Sequence, residues 1–107
     1  ETLGCGGVIA RYAAEGHKVT LGMVTGPGEG GHPYVAPHLF DEVRAELREA
    51  AAILGVSDII FGNVPTTLVA DTERPKLNAA VKSMIEQAKP SVLFVPFALD
   101  LHSDHRE

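Results

Sequence analysis

Two histidines that flank an aspartate are the residues of this sequence best suited to chemistry. His102 and His105 lie three positions apart, with Asp104 between them, near the C-terminal end of the 107 residues. Neutral imidazole is a common zinc ligand, and a neighbouring carboxylate can fix the proton on the other ring nitrogen. One histidine can therefore bind a metal ion while the other faces a substrate.

The same pattern could instead be a polar surface loop whose histidines are only solvated. Its position favours a site, because it follows an apolar run at residues 91–97 and ligands of α/β proteins bind beyond the carboxyl ends of the strands. A catalytic zinc needs three protein ligands besides an open position. The sequence has no obvious complete set, and we expect surface roles for the other histidines, His17, His32 and His38.

Helix and strand signals alternate along the chain, and these elements must position the histidines. Thr2 and Asp41 are predicted N-caps, because their side-chain oxygens can accept from free amides in a first helical turn. Gly16 and Gly55 are placed to end the first and second helices. The predicted order is helix 2–15, strand 18–25, loop 26–37, helix 41–54, strand 58–61, a helix from about Pro75 to Ala88, and strand 91–97.

This alternation predicts an α/β domain with a mainly parallel sheet, because each helix is long enough to connect two parallel strands. The run at residues 91–97 is continuously apolar, which is typical of a strand covered on both faces. Three loops then fall at the carboxyl ends of strands, after Thr25, after Phe61 and after Phe97. The third loop carries the two histidines.

Composition excludes several classes of protein. A net charge of −5 argues against a nucleic-acid or anionic-membrane surface, which would need clustered lysine and arginine. No apolar run approaches the roughly 20 residues needed to span a bilayer, and residues 1–4 do not resemble a signal peptide. A single cysteine, Cys5, excludes an intrachain disulfide. We therefore expect a cytoplasmic domain with no nucleic-acid partner and no membrane segment, while a homo-oligomer stays open.

A family resemblance becomes specific when separate segments are taken in order. The segments are ETLGCGG at residues 1–7, EGHKV at 15–19, AAAILGV at 50–56 and LDLHSDHR at 99–106. Together they resemble the PIG-L/LmbE family of zinc-dependent de-N-acetylases over essentially the whole chain. Glu1 matches the last residue of that family's Ala-His-Pro-Asp-Asp-Glu motif, whose other residues are absent. Residues 1–107 are thus identified as an internal, partial domain of this family.

The resemblance implies a fold and an activity. The fold would be Rossmann-like and truncated, with the first, central strand missing between the strands near Val19 and Val92. The activity would be zinc-dependent hydrolysis that removes an acyl group, usually acetyl, from the amide of an amino sugar or related compound. The expected cofactor is Zn²⁺, and the expected partner is an N-acetylated small molecule or glycoconjugate.

The resemblance also assigns roles to individual residues. His105 would be a zinc ligand, and His102 would stabilise the tetrahedral intermediate and supply a proton to the leaving amine. Asp104 would be the second catalytic residue, orienting His102 and stabilising its charge. Glu1 would support the metal site without binding the metal. Relatives carry an arginine on the second helix near the substrate, and Arg44 is the substrate-binding candidate, although it lies one position from the strict family spacing.

The departures from the family pattern limit these expectations. The remaining metal ligands, a histidine and an aspartate, and the aspartate of the general base belong to the part of the motif before Glu1. We therefore expect residues 1–107 alone to be inactive and poorly folded. The alternative function is a non-catalytic, Rossmann-like binding module with a vestigial metal loop. For Arg44, the alternative is an exposed arginine paired with Asp41 three residues earlier on the helix.

Overall fold

A computed structural model of the chain describes residues 2–107 and the side chains of residues 4–107. The roles predicted for Glu1 and for the Thr2 side chain lie outside the described residues. In chain order the elements are α1 (Thr2–Ala14), β1 (Thr20–Gly26), α2 (Pro37–Leu54), β2 (Asp58–Pro65), a 3-10 turn (Val69–Asp71), α3 (Arg74–Ala88) and α4 (Ser103–Arg106).

The two strands form a parallel sheet in which Thr20 lies opposite Asp58. The register shifts between Met23 and Thr25, so that Thr25 pairs with Val64. Helix α2 connects the two strands, which is the connection that parallel pairing requires. The chain therefore has the predicted α/β, Rossmann-like class of fold, with helices beside a parallel sheet.

The helix boundaries follow local backbone chemistry. Helix α2 begins at Pro37 rather than after the predicted cap Asp41, because proline pre-sets the helical φ angle and its missing amide costs nothing in the first turn. Ala36, which precedes it, is extended. Gly55 ends α2 as predicted, with a left-handed φ of 78° that glycine adopts without steric cost.

The core lies at the carboxyl end of β2. Val64 of β2, Val69 of the 3-10 turn and Leu77 of α3 are buried against one another. Val24 and Ala80 pack against this cluster. Five apolar side chains in residues 4–107 are buried and none is fully enclosed, so the core is small: Leu47, Ala51, Val64, Val69 and Leu77.

The predicted strand at residues 91–97 is wrong in this structure. The segment has no regular secondary structure, and the side chains of Val95 and Phe97 are 71% and 70% exposed. The sheet of the described residues contains only β1 and β2. An apolar run supplies the propensity for a strand, but its amides and carbonyls also need a neighbouring strand to pair with. Residues 91–97 have no such neighbour in residues 2–107.

No helix in residues 2–107 combines the length and the apolar character that crossing a membrane would require.

Candidate active site

The loop of residues 100–106, which we name the histidine loop, is attached to the chain that follows β2. The carboxylate of Asp104 accepts hydrogen bonds from the backbone amides of Thr67, at 2.6 Å, and Val69, at 3.4 Å. A second link joins the Arg74 guanidinium to the Glu107 carboxylate at 2.7 Å. These contacts hold the histidines beside the carboxyl end of β2, which is the end at which parallel sheets bind ligands.

The structure brings His102, Asp104 and His105 together within this loop. The imidazole rings of His102 and His105 are 4.8 Å apart between centroids and inclined by 30°. Nδ1 of His102 accepts a hydrogen bond from the backbone amide of Asp104 at 3.2 Å. Asp104 thus contacts His102 through its backbone, while its carboxylate is directed at Thr67 and Val69.

Asp100 is a member of the site that the sequence analysis did not single out. Its Oδ1 accepts from the backbone amide of His102 at 2.9 Å, and its Oδ2 lies 3.2 Å from Nδ1 of His105. An aspartate can accept a hydrogen bond from the backbone amide two residues later, which closes a turn. Asp100 and His102 have this spacing. That spacing was the available signal. The contact with the His105 ring depends on how the loop closes, and no spacing rule gives it.

The pKa of the Asp100 carboxyl is lowered from its ordinary value. The main cause is the hydrogen bond from the His102 amide, and the second is the hydrogen bond from the His105 side chain. Partial desolvation acts in the opposite direction and does not cancel them. Asp100 is therefore a carboxylate at neutral pH, and its Oδ2 can accept a hydrogen bond from a protonated ring nitrogen of His105.

The hydrogen bonds assign a tautomer to each histidine. Nδ1 of His102 accepts a bond, so its ring proton belongs on Nε2 in the neutral form. Nδ1 of His105 faces an ionised carboxylate, so its proton belongs on Nδ1 and the lone pair on Nε2. The two neighbouring rings thus differ in chemistry. His102 presents a hydrogen-bond donor at Nε2, and His105 presents a lone pair at Nε2.

A cavity of about 250 Å³ lies between α2 and the carboxyl-terminal halves of the strands. Its wall is mostly apolar, and Arg44 places a cation in it. The guanidinium carbon of Arg44 is 5.2 Å from the centre of the Phe61 ring, and that of Arg48 is 5.0 Å from it, both within the range of a cation–π contact. Arg44 is half-buried and lies over an aromatic ring. It therefore differs from the exposed, Asp41-paired arginine that was the alternative expectation.

The cavity and the histidine loop meet at consecutive residues. Thr66 lines the cavity, and Thr67 is held by Asp104. His32 also contacts this point, since its Nε2 donates to the Thr66 carbonyl at 2.8 Å while its Nδ1 accepts from the amide of Tyr34. Both ring nitrogens of His32 are therefore occupied, and it has none left for a metal.

The fit of these residues to zinc is partial. His105 has a free Nε2 and a carboxylate on Nδ1, which is the usual environment of a zinc-binding histidine. Across the described residues, however, no group of three or more histidine, cysteine, aspartate or glutamate side chains is placed to hold a metal ion. Residues 2–107 thus offer one free imidazole nitrogen of the kind that binds zinc, whereas a catalytic zinc site needs three protein ligands.

The fold and the site define an α/β protein with a histidine- and aspartate-bearing loop at the carboxyl end of a parallel sheet. The sequence model of the PIG-L family, described as GlcNAc-PI de-N-acetylase, matches residues 1–107. The chain belongs to this family, which confirms the resemblance seen in the sequence. No curated protein matches the chain closely enough to serve as a named relative.

Proposed function

We propose that this chain forms part of a zinc-dependent hydrolase that removes an acetyl group from the amide of an amino sugar or a related glycoconjugate. The proposal rests mainly on the surroundings of the His105 ring. Its Nδ1 is held by Asp100 and its Nε2 is left free, beside His102 and at the carboxyl end of β2. Membership of a de-N-acetylase family supports the reaction class.

His105 would hold the zinc ion through Nε2, and the further ligands would be a histidine and an aspartate, as the family's metal motif implies. Glu1 would support those ligands without binding the ion. When bound, zinc supplies Lewis-acid chemistry, since it makes water more acidic and polarises an amide carbonyl. The carboxylate of Asp100 would keep the His105 ring in the orientation that this ligand role needs.

His102 would act on the substrate through Nε2. Because Nδ1 accepts from the Asp104 amide, Nε2–H is available to donate to the substrate oxygen as negative charge develops on it. Asp104 is the positioning residue for this donor, since its amide fixes the ring. Removing one well-placed donor of this kind costs about 3–4 kcal/mol of transition-state stabilisation.

The second role proposed for His102, protonation of the leaving amine, requires a change at Nδ1. A neutral imidazole with its proton on Nε2 is a weak acid, so the ring must also be protonated at Nδ1 before it can give up that proton. Protonation of Nδ1 would end the hydrogen bond from the Asp104 amide. The two roles therefore correspond to two protonation states of one side chain.

Arg44 and the cavity would bind the part of the substrate beyond the amide. The apolar wall fits a sugar face or an attached apolar group, and the guanidinium can donate to hydroxyl or anionic oxygens. The Phe61 ring holds the guanidinium at the cavity wall, which reduces the conformational freedom lost on binding.

Release of primary amine from a panel of N-acetylated amino sugars, measured on the full-length protein with and without a chelator, tests the proposal. We expect chelator-sensitive activity that falls about 100-fold or more in His102→Ala, because the oxyanion donor is lost. Arg44→Gln should raise KM more than it lowers kcat, because it contacts the substrate away from the reacting amide.

His17→Ala is the matched control, because His17 is exposed and paired with Glu15 away from the site. It should retain the activity of the unmodified protein. Full zinc occupancy without activity on any amide of the panel would contradict the proposal. That result would favour the non-catalytic, Rossmann-like binding module, in which the histidine loop is vestigial.

A further inference from the structure

His32 lies between two walls of the apolar cavity and contacts both of them. We propose that His32 is a positioning residue for substrate binding, because it ties the loop of residues 27–36, which we name the β1–α2 loop, to the end of β2. The effect on the substrate rests on the proposed function. The effect on the loop rests only on contacts among the described residues.

The two ring nitrogens of His32 serve different parts of the chain. Nε2 donates to the carbonyl of Thr66 at 2.8 Å, across 34 positions of the sequence. Nδ1 accepts from the amide of Tyr34 at 3.1 Å, only two residues later. The second bond fixes the ring within the β1–α2 loop, and the first fixes this loop to the chain after β2. Only the neutral tautomer with its proton on Nε2 can make both bonds.

The His32 ring also contacts helix α2. Its centroid is 6.0 Å from that of the Phe40 ring, which is within the range of packed aromatic pairs. Phe40 lines the cavity from α2, Thr66 lines it from the end of β2, and Val35 lines it from the β1–α2 loop. One half-buried side chain therefore connects three parts of the cavity wall.

The β1–α2 loop has a second attachment, at its base. The amide of Gly28 donates to Oδ1 of Asn63 at 3.0 Å. The amide of Thr66 also donates to the carbonyl of Gly26 at 3.0 Å, just before the loop begins. Loss of the His32 side chain would leave these bonds in place. It would release only the later part of the loop, which is the part next to the cavity.

Release of this part of the loop should weaken substrate binding more than it slows the reaction. A substrate would first have to order Val35 and its neighbours, so its apparent affinity would fall with the population of the closed loop. The net contribution of one or two hydrogen bonds predicts that KM rises about 3–10-fold. The value of kcat should change about twofold or less, because the proposed reacting groups lie in the histidine loop.

Chymotrypsin cleavage after Tyr34 measures how often the loop opens in the full-length protein, without substrate or metal. Tyr34 is 84% exposed, yet cleavage also requires that its backbone be released into the protease. In His32→Ala we expect cleavage at Tyr34 to be about 3–10-fold faster, with KM raised by a similar factor. Thermal unfolding of each variant shows that it is folded.

Two further variants separate the two hydrogen bonds of the ring. Glutamine can place its Nε2 near the position of the imidazole Nε2, so His32→Gln should keep the Thr66 bond and behave like the unmodified protein. Asparagine can accept from the amide two residues later but is too short to reach Thr66, so His32→Asn should behave like His32→Ala.

His38→Ala is the matched control and should change neither measurement. His38 is exposed in the first turn of α2, and its side chain has no hydrogen bond or ion pair with the described residues.

Unchanged cleavage at Tyr34 in His32→Ala would overturn the proposal. So would cleavage of His32→Gln as fast as that of the alanine variant, or of His32→Asn as slow as that of the unmodified protein. Faster cleavage with an unchanged KM would contradict the positioning role. If the unmodified protein acts on no amide of the panel, the proposed function fails, whereas the cleavage rates still decide whether His32 holds the loop.

Discussion

Two short segments of this chain share an apolar character and have different structures. Strand β2 (Asp58–Pro65) and residues 91–97 are both short, mostly apolar runs that follow a helix. Strand β2 pairs with β1, and Val64 within it is only 6% exposed. Residues 91–97 pair with neither strand, and the side chains of Leu93 and Phe94 are 57% and 60% exposed. An apolar run therefore becomes a buried strand only where a neighbouring strand can pair with its backbone amides and carbonyls.

The same comparison extends to function. The core beside β2 supports Thr67 and Val69, to which Asp104 attaches the histidine loop. The segment at residues 91–97 leads into that loop from the other side, and its apolar side chains are largely exposed, although the Phe94 ring contacts the Tyr12 ring at 6.1 Å between centroids. The histidine loop is thus held firmly at its β2 contact and weakly at its entry.

The largest expected effect is on residues 1–107 expressed alone, because only five apolar side chains in residues 4–107 are buried and none is fully enclosed. Burial of a large apolar side chain contributes about 1.5–3 kcal/mol, so a core of this size supplies little stability. We expect the isolated residues 1–107 to show no cooperative thermal transition and no tight zinc binding, measured by calorimetry. A cooperative transition together with submicromolar zinc binding by the monomer would remove the basis for this comparison.

The packed region can be tested with one core substitution in the full-length protein. Leu77→Ala should lower the free energy of unfolding by about 2–5 kcal/mol, because Leu77 is 5% exposed and its loss leaves a cavity beneath Val64 and Val69. Ile53→Ala is the matched control, since Ile53 is 86% exposed and should change stability by about 0.5 kcal/mol or less. If denaturant unfolding showed the same loss of free energy of unfolding for both variants, Leu77 would not belong to the core.

The close approach of the two strands predicts a smaller effect. A Cβ added at Gly62 would overlap the carbonyl oxygen of Val24 and come within 2.8 Å of Cε of Met84. Gly62→Ala should therefore destabilise the full-length protein by about 1–3 kcal/mol through overpacking. At Gly22 the nearest atom would be Sδ of Met84 at 3.5 Å, an ordinary contact, so Gly22→Ala should unfold at nearly the denaturant concentration of the unmodified protein. If Gly62→Ala destabilised the protein less than Gly22→Ala, the close pairing of β1 and β2 at Gly62 would be incorrect.

Sequence patterns were sufficient for the class of fold. They predicted α1, β1, α2, β2 and α3 in the correct order, and Gly55 ends α2 because its left-handed backbone favours glycine. The start of α2 was misjudged because Pro37 competes with Asp41 as a helix start. Residues 91–97 were misjudged because strand propensity is local, whereas strand pairing depends on a distant part of the chain.

The position and the contacts of the candidate site could be predicted only in part. The sequence predicted that His102, Asp104 and His105 follow a strand at residues 91–97, whereas in the structure they lie beside the end of β2 and no strand precedes them. The partners of Asp104 could not be foreseen, because Thr67 and Val69 are more than 30 residues away in sequence. Asp100 was overlooked because its role depends on the closure of a turn. The role of Glu1 stays a prediction.

The zinc content of the full-length protein and of two histidine variants tests the central claim most directly. His105→Ala should lose bound zinc, measured by elemental analysis after dialysis, because Nε2 of His105 is the ligand that we propose in the histidine loop. His17→Ala should retain the zinc of the unmodified protein. Retention of full zinc by His105→Ala would contradict the account, since the histidine loop would then not be part of the metal site.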